Sequence, residues 1–329
     1  MSVGRWVLAV ATLGALVVAS LLVGAADLRF GDVLAALLGG GDGTTGKIVR
    51  DLRLPRALLG LLVGAGLAMS GVTMQSTLRN PLAEPYLLGV SGGAAVGAVL
   101  ATTLGASGVG LISLGAFGGA LAAVAAVLLL ARGAGGGAGR DPRVLVTAGV
   151  VAGAFANAVI MIALAAAPPT AQRSALWWMM GSVAAATWPD VLWLGSMVLA
   201  TGALTVHWAR QLDVVALGPD AAASLGVDPR RATTRFFIAG SLLAAGTVAT
   251  AGLVGFVGLI VPHLVRAAGA RAARLTLLSA ALGGASLVLV ADIIARTVRA
   301  PIELPLGAVT AVLGVPFFVW RLRQGGTER

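Results

Sequence analysis

Long apolar runs broken by short clusters of arginine, proline and aspartate set the rhythm of this chain. No Asp, Glu, Lys or Arg occurs from Trp6 to Ala26, Ala57 to Leu78, Leu87 to Ala131, Val144 to Gln172, Phe236 to Val265 or Leu275 to Ala291. About 20 apolar residues cross a bilayer as a helix, and dividing the runs at their turn signals predicts ten spans, at 6–26, 57–78, 86–104, 109–131, 144–166, 190–209, 233–251, 253–267, 275–296 and 304–320. The eighth boundary is the least obvious. Phe236 to Val265 would make about 45 Å of helix, too long for one upright span and short for two, and the glycines at 246, 252, 255 and 258 favour a break. The predicted fold class is an all-α polytopic membrane protein, with residues 1–329 forming a single transmembrane domain. Residues 27–40, DLRFGDVLAALLGG, read as a short surface helix, and residues 167–189 read as irregular.

Composition supports this reading. The chain is 58% hydrophobic and 11% charged, and a soluble domain carries roughly twice that charged fraction. Forty-seven glycines suit close helix approach in lipid, although a nucleotide bias toward Gly, Ala and Arg codons accounts for them equally well. The absence of cysteine excludes disulfides, thiolate metal sites and cysteine nucleophiles, and two histidines make a poor metal cage. The apolar run after Arg5 resembles a secretory signal but is long for one, and is read as an uncleaved first helix. Trp177, Trp178, Trp188 and Trp193 suit an interfacial belt.

The net charge of +10 does not indicate a nucleic-acid ligand, because the arginines sit in loops between spans rather than on one face. They report topology. With ten spans, Arg79, Arg132, Arg140, Arg143, Arg210, Arg230, Arg231, Arg235, Arg266, Arg271 and Arg274 share one side with the terminal Arg5, Arg321, Arg323 and Arg329. That is 15 of the 23 basic residues, and the positive-inside rule places both termini in the cytoplasm.

Three polar stretches carry candidate chemistry. Residues 217–235, LGPDAAASLGVDPRRATTR, form the longest polar segment on the inner side, with two helix-like pieces separated by Gly226. They read as a docking knob or as a plain solvated loop. In ADIIARTVRAPIELPLG, Asp292 and Arg296 are spaced i,i+4 and can pair on one helix face, a reading favoured over proton relay. In GFVGLIVPHLVRAAG, residues 255–269, Pro262 is expected to end regular backbone pairing at the cytoplasmic surface, leaving His263 and Arg266 structural rather than catalytic. Pro81 and Pro85 mark a turn between spans. LPRALLGLLVGAGLAMSG and DPRRATTRFFIAGSLLAAG form a faint internal echo. GDGTTGK at 41–47 has Ile48 where a Walker A motif needs Ser or Thr.

Several separated motifs, in order, make the chain resemble a permease subunit of the FecCD family, the transmembrane part of type II ABC importers for iron-siderophore complexes, haem and vitamin B12. They are LRLPRALLGLLVGAGLAMSGVTMQ, RNPLAEPYLLGVSGGA, the LG…LGV loop, GFVGLIVPHLVR, and ADIIAR with ELPLGAVTAVLGVPFF. The match runs nearly end to end.

The resemblance implies a type II ABC importer permease fold of about ten helices per subunit, in the cytoplasmic membrane. It implies a dimer, with a homodimer as the default second permease subunit. Two ATPase subunits would hold ATP and Mg, and a periplasmic or lipid-anchored binding protein would dock outside; no cofactor is bound by this chain. Within a cytoplasmic coupling loop at 212–235, Leu217, Gly218, Ala221, Leu225, Gly226, Val227 and Arg230 would contact the ATPase. Arg53, Arg56 and Arg296 match positions that bind acidic residues of the binding protein, although Arg296 cannot fully serve both that role and the pair with Asp292. Asn157, Met179, Met180 and Gly181 resemble segments near the translocation pathway, with helix packing as the competing explanation. An iron chelate is the default cargo and vitamin B12 its rival. A proton-coupled secondary transporter working through Asp292 or Glu303 is the alternative from another class.

Overall fold

Proline at the first turn and glycine at the last delimit many of the helices, as expected where the missing N–H costs nothing and where a left-handed residue closes the helix. The computed structural model describes residues 3–24, 28–40, 43–106, 108–133 and 142–325. Arg140 and Arg329, and the side chains of Arg321 and Arg323, used above for topology, lie outside the described residues.

Every regular element described is helical. Helix α1 (Val3–Leu22) is followed by the short α2 (Phe30–Leu37) and α3 (Thr44–Lys47), then by a π-helical turn, Ile48–Arg53, that runs into α4 (Leu54–Thr77). A 3₁₀ turn at Pro85–Leu88 precedes α5 (Val90–Thr103), α6 (Val109–Gly133) and α7 (Pro142–Ala166). Next come α8 (Pro169–Met179), α9 (Trp188–His207), α10 (Ala209–Ala216) and α11 (Pro219–Ser224). The last four are α12 (Pro229–Ala251), α13 (Val257–Ala267), α14 (Ala273–Thr297) and α15 (Leu306–Gly325). Among the described residues, seven helices are long and apolar enough to cross a membrane, and α5, α13 and the apolar part of α15 are shorter. These ten correspond in order to the ten expected spans. Residues 27–40 contain the expected short helix, whereas 167–189, expected to be irregular, contain α8.

Most of α4 and α12 is buried, while α1 and α7 are mostly exposed. The two helices of the internal echo thus form the centre, and small residues let their neighbours close on them. Gly64 of α4 and Gly284 of α14 face each other so closely that a Cβ on either would collide with the other's carbonyl. Such contacts suit a medium in which van der Waals packing rather than hydrophobic burial holds helices together. Gly14, Gly118 and Gly153, by contrast, face open space, so glycine abundance reflects packing at only some positions.

The break between α12 and α13 lies where the glycines placed it. Gly252 (φ 69°) and Phe256 (φ 67°) turn the chain, and a side chain at Gly252 would strike the Trp178 carbonyl. A second irregular segment secures this turn: Glu84 Oε1 accepts from Phe256 N at 2.7 Å, and Tyr86 Oη accepts from Val254 N.

Pro262 behaves differently from the expectation. It lies inside α13, which continues to Ala267. A proline here leaves the carbonyl four residues back without its helical partner. That carbonyl, of Gly258, accepts instead from Gln75 Nε2 at 3.2 Å. His263 Nδ1 lies 2.8 Å from the Leu259 carbonyl, within its own helix. Arg5 Nη1 donates to the Ala268 carbonyl at 2.7 Å, which places the start of α1 beside the end of α13.

Candidate functional site

Two polar constellations lie at opposite ends of the bundle. The first is the segment between α10 and α12. Gly218 (φ 115°) ends α10 and opens α11, and Gly226 (φ 77°) closes it. Gly226 N donates to Ala223 O at 3.0 Å and Val227 N to Ala222 O at 2.9 Å, the paired bonds of a Schellman cap, which requires a left-handed residue at the Gly226 position. Asp228 then caps α12, its Oδ1 accepting from Arg230 N and Arg231 N.

The result is a small, internally bonded knob. Ala222 is fully buried beneath it and Val227 packs on the core, while Leu217 and Leu225 are 68% and 60% exposed. Ala221 is half-buried and Arg230 exposed. At its base Arg235 lies over the Trp208 ring at 4.7 Å and donates to Gln211 Oε1 at 3.0 Å. Two exposed leucines on a braced polar segment are an arrangement suited to contact with another protein.

At the other end, Arg53, Arg56 and Arg296 come together, but each already has partners within the chain. Arg53 Nη1 donates to the carbonyls of Leu21 and Leu22 at 2.8 and 2.7 Å, where a cation satisfies the last carbonyls of α1 and opposes its dipole. Arg56 spans two carboxylates. Its Nη2 and Nε reach Asp292 Oδ1 at 2.8 and 3.1 Å, and its Nη1 and Nη2 reach Glu303 at 2.7 and 2.9 Å. Arg296 Nη2 donates to Ser20 O and Oγ at 3.0 and 2.8 Å, and stands 3.5 Å from Asp292.

The i,i+4 pair foreseen between Asp292 and Arg296 therefore exists, yet the closer partner of Asp292 is Arg56. Arg53 and Arg296 are buried, and the side chain of Arg56 is 12% exposed; only Glu303, at 40%, opens appreciably to the surface. A buried ion pair contributes little net stability, but removing one partner leaves a costly unpaired charge. This network binds the end of α1, the start of α4 and the end of α14 to the loop before α15.

The pathway candidates are dispersed. Asn157 lies on the exposed face of α7, near the exposed Phe155, Met161 and Ile162, and forms no hydrogen bond among the described residues. Met179 packs in a small cluster with Ala95, Val99 and Ile160. The Met180 carbonyl accepts from Gly307 N at 3.2 Å and that of Gly181 from Leu306 N at 3.1 Å. A Cβ on Gly181 would press on the Leu253 carbonyl at 2.7 Å. Met180 and Gly181 thus stitch the end of α8 to the α12–α13 linker and to α15. Trp193 is half-buried and meets Phe117 edge-to-face at 5.3 Å, and Trp188 donates to the Arg50 carbonyl at 3.1 Å.

Sequence reasoning missed Gln75, Glu84 and Tyr86. Gln75 is a buried amide that joins the Gly258 carbonyl to Arg266, whose Nη1 donates to Gln75 Oε1 at 2.6 Å. The available signal was a lone amide in an apolar span, a group that lipid forces to find a partner.

The hemin transport system permease protein HmuU of Yersinia pestis is 39% identical over 284 residues, covering 85% of this chain and 84% of its own length. The vitamin B12 import system permease protein BtuC of Shigella sonnei is 39% identical over 280 residues, covering 84% of each chain. A solved metal-chelate type ABC transporter in an inward-facing conformation superposes with a TM-score of 0.85 at 28% identity, covering 96% of this chain and 97% of that one. Residues 12–324 match the FecCD transport family, and the chain belongs to that family.

Proposed function

We propose that this chain is the permease subunit of an ABC importer that carries an iron chelate, siderophore or haem, into the cytoplasm at the expense of ATP hydrolysed by partner subunits. The observation that carries the reading is the braced knob at 217–228, whose exposed Leu217 and Leu225 offer an apolar contact to an ATPase. Two ATPases, binding ATP and Mg, engage two copies of the knob. Their closure pushes on it and re-orients α12, which begins directly after its Asp228 cap. The knob end faces the cytoplasm together with both termini, the chain lies in the inner membrane, and no cofactor is bound by this chain.

The permease pairs with a second copy. Asn157 and the exposed apolar face of α7 suit a surface that meets either that copy or the pathway, since an unpaired amide is costly against lipid. On the outer face a periplasmic or lipid-anchored binding protein docks. Arg56 takes part through the Glu303 arm of its network, while Arg53 and Arg296 position it.

The hemin and vitamin B12 permease relatives are equally similar to this chain, so iron chelate stands as the proposed cargo with vitamin B12 as its rival. Proton-coupled transport through Asp292 or Glu303 is disfavoured, because both carboxylates are ion-paired to Arg56. The test is uptake by proteoliposomes holding the chain, its ATPase and its binding protein. Labelled iron-siderophore, haem and cobalamin are compared under ATP and under a proton gradient alone. ATP-dependent uptake of an iron chelate is expected, cobalamin uptake would reassign the cargo, and gradient-driven uptake without ATPase would overturn the importer reading.

A further inference from the structure

Beside the knob, a cavity of about 370 Å³ opens between the end of α4, α10, α13 and the start of α14. Its lining includes Gln75, Arg79, Asn80, Asp213, Arg266 and Arg271. Three guanidiniums thus face one carboxylate, and that carboxylate is partly committed: Asp213 Oδ1 accepts from Ala273 N at 2.8 Å at the start of α14. Among the described residues none of the three arginines forms an ion pair. Arg266 has a single hydrogen bond, to Gln75, and that bond leads through Gln75 Nε2 to the Gly258 carbonyl beside the α12–α13 break.

Arg79 is held in the cavity wall by an unfavourable backbone. Arg79 N donates to Ser76 O at 3.4 Å and Asn80 N to Gln75 O at 3.1 Å, so α4 ends in a Schellman cap. Its left-handed position, φ 50°, is occupied by arginine where glycine is the unstrained choice. Arg79 Nη1 lies 3.3 Å from where a Gly218 Cβ would stand, so its guanidinium touches the first turn of the knob. Strain retained at a polar surface position points to a use for the side chain.

We propose that this cavity binds a phosphate group, from an anionic phospholipid headgroup or from inorganic phosphate, with Arg79, Arg266 and Arg271 as its donors. A carboxylate presents two oxygens and one charge, which a single arginine fork satisfies. Inorganic phosphate presents four oxygens and up to two charges, and a phospholipid phosphodiester, although a monoanion, is flanked by ester and headgroup oxygens that add acceptors. Either occupies three guanidiniums opposed by one partly committed aspartate better than a carboxylate does. Occupancy fixes Arg79, and through it the position of Gly218.

The full-length chain, purified in an uncharged detergent, is titrated with inorganic phosphate, dioctanoyl phosphatidylglycerol and dioctanoyl phosphatidylcholine. Binding is read by calorimetry and native mass spectrometry. Arg271 is exposed and unpaired, so Arg271→Gln leaves the fold intact, as an unchanged melting temperature verifies. It is expected to weaken phosphate or phosphatidylglycerol binding at least tenfold, and Arg266→Gln to weaken it further, while Arg173→Gln at the opposite end changes nothing. Direct binding of inorganic phosphate in the absence of lipid identifies the free anion as a sufficient ligand, and binding of phosphatidylglycerol but not of phosphate identifies the headgroup; either supports the site. Equal binding by the native chain and Arg271→Gln, or none by either, overturns it and leaves the arginines to an acidic partner surface. Transport is not part of the readout, so failure here leaves the importer reading untouched.

Discussion

Gly226 offers a substitution whose local effect can be worked out before any transport is measured. Its φ of 77° closes the cap that holds α11 against α12, and no atom lies within 4 Å of where its Cβ would stand. Gly226→Ala therefore meets no steric clash and carries only the left-handed penalty, roughly 1–2 kcal/mol, a factor of about 5 to 30 in the population of the capped form. Gly226→Pro cannot reach a positive φ at all, because the ring holds φ near about −65°. It also removes the N–H that donates to Ala223 O, a further loss of about 1 kcal/mol. The cap opens, and Leu217 and Leu225 no longer share one rigid surface. Since the position is exposed and remote from the bundle core, the melting temperature of the purified permease stays within a few degrees. The assays are co-purification with the ATPase and ATP-driven uptake in proteoliposomes. The alanine variant should show reduced but measurable uptake, and the proline variant none. Wild-type uptake by a correctly folded Gly226→Pro protein would refute the coupling role of the knob.

The network around Arg56 yields two further expectations. Asp292→Asn leaves Arg56 and Arg296 facing each other with one buried counter-charge fewer and should cost about 3–5 kcal/mol, seen as a clear fall in melting temperature; an unchanged value would mean that the network is not closed as described. Glu303→Gln frees one arm of Arg56 while Asp292 still holds the other, so binding-protein affinity should rise at low salt and fall more steeply as salt increases; unchanged affinity would remove Arg56 from docking. Gln75→Leu deprives both the Gly258 carbonyl and Arg266 of their partner, and thermal unfolding should report about 1–3 kcal/mol of destabilisation. No change there would show that Pro262 is accommodated by other means.

The spans were legible because lipid imposes long uncharged runs, and the α12–α13 break because glycine clusters where the chain must turn sharply. The short helix after α1 and the segment 217–228 were legible for the same reason: local rules of proline, glycine and aspartate act within a few residues. What was not legible depends on partners far apart in the chain. Pro262 was expected to end a helix, and it sits inside one because Gln75, 187 residues earlier in the numbering, supplies the missing donor. Arg56 pairs with Asp292 and Glu303, 236 and 247 residues away, partners that its own sequence neighbourhood does not reveal. Trp193 packs edge-to-face on Phe117, a partner 76 residues away that residue type alone does not name. Buried ionisable groups in an apolar chain must find one another, but their residue types do not say which pairs form.

Uptake under two energy sources tests the central claim most directly. Proteoliposomes containing the chain with its ATPase and binding protein should accumulate iron-siderophore or haem when ATP is supplied on the ATPase side, and should accumulate nothing under a proton gradient without ATP. Accumulation driven by the gradient in the absence of the ATPase would contradict the importer mechanism and return attention to Asp292 and Glu303.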